Sequence, residues 1–103
     1  MSPVDVRNNR AQNRFEHFLD GMIVGFVDYS MEGETFALVH TEVFPQHRGK
    51  GIGSLLVVEV LKQIRELGGE VLPYCSFIPK VMLKHPEYIE LVPPPARPQF
   101  GLA

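Results

Sequence analysis

The chain has 103 residues, 45% of them hydrophobic, with seven Phe and three Tyr, enough for one small domain to bury a core without covalent staples. Ten Lys and Arg against twelve Asp and Glu leave a net charge of −2 and a pI near 6.0, which gives no electrostatic basis for binding nucleic acid or a membrane surface. Its single cysteine, Cys75, excludes an internal disulfide, no Cys/His spacing suggests a metal site, and no apolar run approaches the ~20 residues of a membrane span.

The first apolar positions, Val4 and Val6, alternate as in a strand and are followed by the polar run NNRAQN. Next, RFEHFLDGMIVGFVDYSM reads as two strands joined at Asp20-Gly21, a strong hairpin signal. A second turn at Glu32-Gly33 leads into ETFALVHTEV, whose Val, Thr and Phe content favours a further strand. Three antiparallel strands, with a fourth from the N-terminus, are expected.

From Lys50 or Gly51 to Leu67 the period changes to that of a helix, with Ile52, Leu55, Leu56, Val60, Ile64 and Leu67 on one face and Val57, Val58 and Leu61 widening it. Gly68-Gly69 would stop it. EVLPYC then reads as a strand reached by a crossover helix, and Ser76 as the cap of a short helix, FIPKVMLKH, that ends before Pro86. The whole predicts a mixed α/β (α+β) domain over 1–92, in which a twisted, mostly antiparallel sheet carries a long crossover helix and a shorter C-terminal one. The last eleven residues, 93–103, hold four prolines and no period, and are expected as an extended, docked or disordered tail.

The stretch HTEVFPQHRGKGIG joins a strand to the long helix through a glycine loop that also carries Arg48 and Lys50. The first N–H groups of a helix lack intrahelical partners and carry partial positive charge, and glycines let backbone approach an anion closely. Phosphate binding is therefore one reading; a tight turn built by Gly49, Gly51 and Gly53 is the other. The P-loop is excluded because it needs Lys and then Ser or Thr after its glycine, where Ile52 and Gly53 follow Gly51 instead, and the dinucleotide pattern because the glycines run G-x-G-x-G.

Arg48-Gly49-Lys50-Gly51-Ile52-Gly53 resembles the R/Q-x-x-G-x-G/A signature of the GNAT acetyltransferases. The order of strand, loop, apolar helix, strand and final helix is similar over about residues 4 to 92, and Cys75 with KHPEY is similar to a small single-domain subfamily with a cysteine at the end of its fifth strand. The resemblance implies a reduced GNAT fold and an acetyl-CoA-dependent N-acetyltransferase that acts on a small-molecule or protein amine. It also implies that the CoA diphosphate meets Gly49, Lys50, Gly51, Ile52, Gly53 and Ser54, with Arg48 nearby. The pantetheine arm would lie between Glu42, Val43 and Phe44 on one side and Tyr74 and Cys75 on the other. Val43 N–H would polarise the acetyl carbonyl. Glu42 and His40 are the candidate general bases, and Cys75 would contact the cofactor, with a covalent acetyl-cysteine as one version of its role.

Two departures stand out. The final helix carries Val81, Met82 and Leu83 where many GNAT enzymes place a proton-donating tyrosine, with Tyr88 only after Pro86. The helices that usually wall the acceptor site are replaced by NNRAQN. A second subunit could complete that site as a homo-oligomer, or His85, Glu87 and Tyr88 could form its wall. A non-catalytic CoA-binding module is the alternative function; a nucleotide binder would need magnesium and base-recognition groups that the sequence does not display. No nucleic acid or membrane partner is expected, and the setting is expected to be cytoplasmic.

Overall fold

The computed structural model describes residues 4–103, so positions 1–3 of the domain expected over 1–92 lie outside it. Five strands form one sheet in the order β1 (Asp5–Asn9), β2 (Arg14–Leu19), β3 (Met22–Glu32), β4 (Thr35–Val43) and β5 (Glu70–Pro73). Neighbours run antiparallel except β4 and β5, which are parallel because helix α1 (Ile52–Glu66) crosses over between them. Only residues 10–13 join β1 to β2, with no helix between them. At the β2–β3 turn Asp20 and Gly21 both take positive φ, 52° and 79°, the pair that a type I′ hairpin demands.

Two irregularities decide which side chains face the core. One lies between His17 and Phe18, and one between Asp28 and Tyr29, opposite which β4 steps from Leu38 to His40 with Val39 as the extra residue. Cross-strand partners share a face. Phe36 and Leu38 therefore face the core alongside Tyr29, whereas beyond Val39 the core side passes to Thr41 and Val43, opposite Val27 and Gly25. His40 and Glu42 point to the other face, beside Asp28 and Phe26.

Helix α1 begins after Gly51, whose left-handed φ of 74° turns the chain sharply out of the loop. It ends when the N–H groups of Gly68 and Gly69 bond back to Arg65 and Ile64 carbonyls, both at 3.0 Å. Its buried stripe is Ile52, Leu56, Val57, Val60, Leu61 and Ile64. Leu55 and Leu67, expected on that face, are instead 50% and 53% exposed. The stripe follows the i, i+4 rows through Leu56 and Val57, which leaves Leu55 on its flank, while Leu67 has already left the regular helix.

Phe15, Tyr29 and Phe36 form an aromatic triangle with centroids 5.1 to 6.0 Å apart in the core beneath α1. Each aliphatic side chain buried there contributes about 1.5–3 kcal/mol relative to exposure. Gln63 ties α1 to the sheet edge by donating from Nε2 to the Val6 carbonyl at 2.8 Å.

Helix α2 (Phe77–Lys84) adds Ile78, Val81 and Met82 to the same core. Ser76 does not cap it: its backbone is already helical and its side chain makes no capping bond. The proline-rich end is more regular than its composition suggests, for Pro94–Phe100 winds as a 3₁₀ helix and Leu102 enters the core cluster. Prolines lack the N–H that an α-helix needs but satisfy the φ of a 3₁₀ turn. No described helix is long and apolar enough to cross a membrane.

Candidate active site

The register of β4 determines which backbone groups are available. Phe44 N–H donates to Val24 O at 2.9 Å, so Phe44 and Glu42 spend their backbone groups on β3. The alternate residues, Thr41 and Val43, turn theirs to the opposite edge. On that edge β5 pairs only with Thr35–Leu38, and the last link is Cys75 N–H to Leu38 O at 3.0 Å. Beyond it the two strands diverge and leave an edge of β4 that presents peptide groups. Sequence reasoning singled out Val43 and missed Thr41, although the two-residue period of a strand ties one to the other.

At the far end of this edge a hollow of about 290 Å³ is lined by Val43, His47, Arg48, Gly49, Gly51, Ile52, Gly53, Ser54 and Phe77. The first α1 bond runs from Leu55 N–H to Gly51 O, so the N–H groups of Ile52, Gly53 and Ser54 precede the intrahelical ladder. The structure thus gathers six of the loop residues read from the sequence around one cavity. Lys50 is exposed and is not among its lining residues. Phe77, the first residue of α2, closes one wall, with its ring 3.2 Å from where a Gly53 Cβ would sit; nothing local in the sequence marks that contact.

Arg48 connects this hollow to the residues expected to act as bases. Its Nε donates to Val43 O at 3.0 Å and its guanidinium to Glu42 Oε2 at 2.9 Å. The other Glu42 oxygen lies 3.3 Å from His40 Nε2. Arg48 first, and His40 second, hold the Glu42 carboxyl below the usual glutamate value. His40 packs against the Phe26 ring at 6.2 Å. The three side chains lie on the sheet face away from the core, whereas Cys75 packs against the core cluster. The sequence-derived candidates therefore form two groups, on either side of the β4 edge.

A larger hollow, about 340 Å³, lies at the opposite end of the strands among residues that include Asn8, Tyr29, Gly33 and Phe36. None of the candidate catalytic or cofactor-binding residues read from the sequence lines it. Size alone gives it no chemistry, and the smaller hollow is the better site because glycine amides and an arginine converge there.

Residues 14–91 match the model of a family described as GCN5-related N-acetyl-transferase. No curated protein matches the sequence. Among solved structures, one from Staphylococcus aureus assigned as a GCN5-like N-acetyltransferase is 21% identical over 90% of this chain and 91% of its own, with a TM-score of 0.63. A GNAT-family acetyltransferase from Brucella melitensis, solved in complex with acetyl-CoA, is 28% identical over 58% of this chain and 45% of its own, with a TM-score of 0.48. A protein from Desulfovibrio desulfuricans assigned to the same family is 24% identical over 56% of this chain and 40% of its own, at 0.48.

Proposed function

The chain belongs to the GCN5-related N-acetyltransferase family, a family of acyltransferase enzymes, and from that premise we propose that it transfers the acetyl group of acetyl-CoA to an amine. The observation that carries this reading is the continuity between the hollow at the start of α1 and the open edge of β4. The N–H groups of Ile52, Gly53 and Ser54 suit a diphosphate, with Arg48 as the adjoining cation. Along the edge, the N–H groups of Thr41 and Val43 and the carbonyl of Thr41 are open to an extended amide arm, as a sheet edge is to an added strand, while Arg48 holds the Val43 carbonyl. Their N–H groups also suit the oxygen of a thioester carbonyl, where charge develops during attack.

Proton movement falls to the groups on either side of that edge. The acceptor must be a free amine, and Glu42, held low by Arg48, is a weak proton acceptor in its clamped state. An imidazole suits the task better near neutral pH. Glu42 would then orient His40, accepting from its Nε2–H and leaving Nδ1 to receive the amine proton. As nitrogen bonds to the carbonyl carbon and the carbon–sulfur bond breaks, the departing CoA thiolate takes up a proton, for which Cys75 is the candidate source. A free thiol suits a reducing, cytoplasmic setting.

Release of CoA thiol from acetyl-CoA, measured with and without a panel of amines, tests the reading. Amine-dependent release that slows in His40→Gln and Cys75→Ala, with acetyl-CoA binding retained, is the expected result. Tight CoA binding without amine-dependent release across the panel would instead identify a binding module.

A further inference from the structure

The family match ends at residue 91, yet the chain beyond it is part of the folded body. Val92 and Leu102 belong to the core cluster, and Ala96 and Phe100 pack against it. Arg97 Nε donates to the Val92 carbonyl at 2.9 Å, and Leu102 N–H returns to Arg97 O at 3.0 Å. This closed loop places Phe100 edge-on to Tyr74, with centroids 5.5 Å apart at 78°. Tyr74 directly follows β5 and directly precedes Cys75, whose N–H makes the last link to β4 before the strands diverge. A segment beyond the family match therefore brings an aromatic ring to the place where β4 and β5 separate.

We propose that Phe100 and Tyr74 form the acceptor wall of the site and select primary amines carried on an apolar, aromatic or alkyl, group. The inference rests on the acetyltransferase reading. The two rings, Tyr74 49% exposed and Phe100 partly so, offer the faces and edges against which an apolar body packs. Phe100 does not line the hollow at the start of α1 and is not among the residues expected along the pantetheine arm, so its part in selecting the amine is separable from holding the cofactor.

The test is titration of CoA-saturated protein with phenethylamine, and separately with ethanolamine, while the ring resonances of Tyr74 and Phe100 are followed by NMR. Phenethylamine is expected to shift both rings saturably, and ethanolamine at the same concentration to leave them in place. In Phe100→Ala the apparent Kd for phenethylamine should weaken about tenfold, the loss of one aromatic contact, with CoA affinity unchanged. Phe100→Leu, which keeps an apolar anchor for the tail, guards against misfolding and should show an intermediate loss. Equal response of the rings to both amines, or to neither, overturns the proposal. Failure of CoA itself to bind would overturn the acetyltransferase reading instead.

Discussion

The guanidinium of Arg48 lies 2.9 Å from Glu42 Oε2 while its Nε holds the Val43 carbonyl at 3.0 Å. One side chain thus links the glycine loop to the strand that carries the candidate bases. The pair lies at the surface, with Arg48 exposed and Glu42 partly so, and contributes little to stability; its consequence is electrostatic and local.

Removing that cation should release the carboxyl. In Arg48→Ala the Glu42 carboxyl is expected to titrate closer to the ordinary glutamate value, followed by its side-chain ¹³C shift against pH. His40→Gln should move it in the same direction but less, because Arg48 is the larger cause. CoA affinity should fall in Arg48→Ala, as the loop loses both its cation and its tie to β4. An unmoved Glu42 would show that the contact is not populated in solution.

Two glycines beside the site should respond differently to alanine. A Cβ on Gly25 would lie 2.6 Å from the Glu42 carbonyl oxygen and 3.4 Å from Val43 Cα. Backbone cannot yield as a side chain does, so Gly25→Ala is expected to cost about 1–3 kcal/mol, read as a Tm loss of roughly 4–8 °C per kcal/mol. In Gly53→Ala the new methyl meets the Phe77 ring at 3.2 Å, which can shift. That variant should keep its Tm within a few degrees while binding CoA more weakly, because the hollow narrows.

Acid should destabilise the fold through His17. Burial holds its imidazole below the ordinary histidine value of 6.5, Asp5 opposes that shift, and His47 adds to it. Its Nδ1 is buried without a hydrogen-bond partner among the described residues. As pH falls through 6.5 the unfolded chain takes up the proton before the folded one does, so stability is full above that value and declines below it. Thermal melts between pH 8 and pH 5 should show this decline, and His17→Leu should flatten it. An equal slope in both proteins would assign the acid sensitivity elsewhere.

Leu102 tests whether the proline-rich end belongs to the domain. It is 7% exposed within the core cluster, so Leu102→Ala should cost about 2 kcal/mol or more, measured by urea denaturation. A loss below about 0.5 kcal/mol, the range of ordinary surface changes, would show that the segment is not docked.

Much of this was legible because punctuation and period act locally. Asp20-Gly21 encodes its turn, the apolar repeat from Ile52 to Ile64 encodes its helix, and Gly68-Gly69 encodes the stop. The loop from Arg48 to Ser54 was legible as a candidate because glycines and cations stand together at a helix start in the spacing of the GNAT signature, whereas the glycines alone would equally serve a tight turn. What the sequence could not show depends on neighbours. The extra residue Val39 exists only relative to β3, and it is what sends Glu42 and His40 to the face opposite Leu38. Leu55 and Leu67 fit the helical period and still face solvent, because no described element covers that flank. Phe100 meets Tyr74 across 26 residues of chain, a contact that no local pattern announces.

The most direct measurement is the ¹H–¹⁵N spectrum of the labelled protein titrated with CoA. The expected result is saturable movement concentrated on the amides of Ile52, Gly53 and Ser54 and of Thr41 and Val43, with the amides around Asn8 and Gly33 unmoved. No saturable movement at millimolar CoA, or movement confined to the hollow around Asn8 and Gly33, would contradict the site and, with it, the acetyl-CoA-dependent reaction assigned to it.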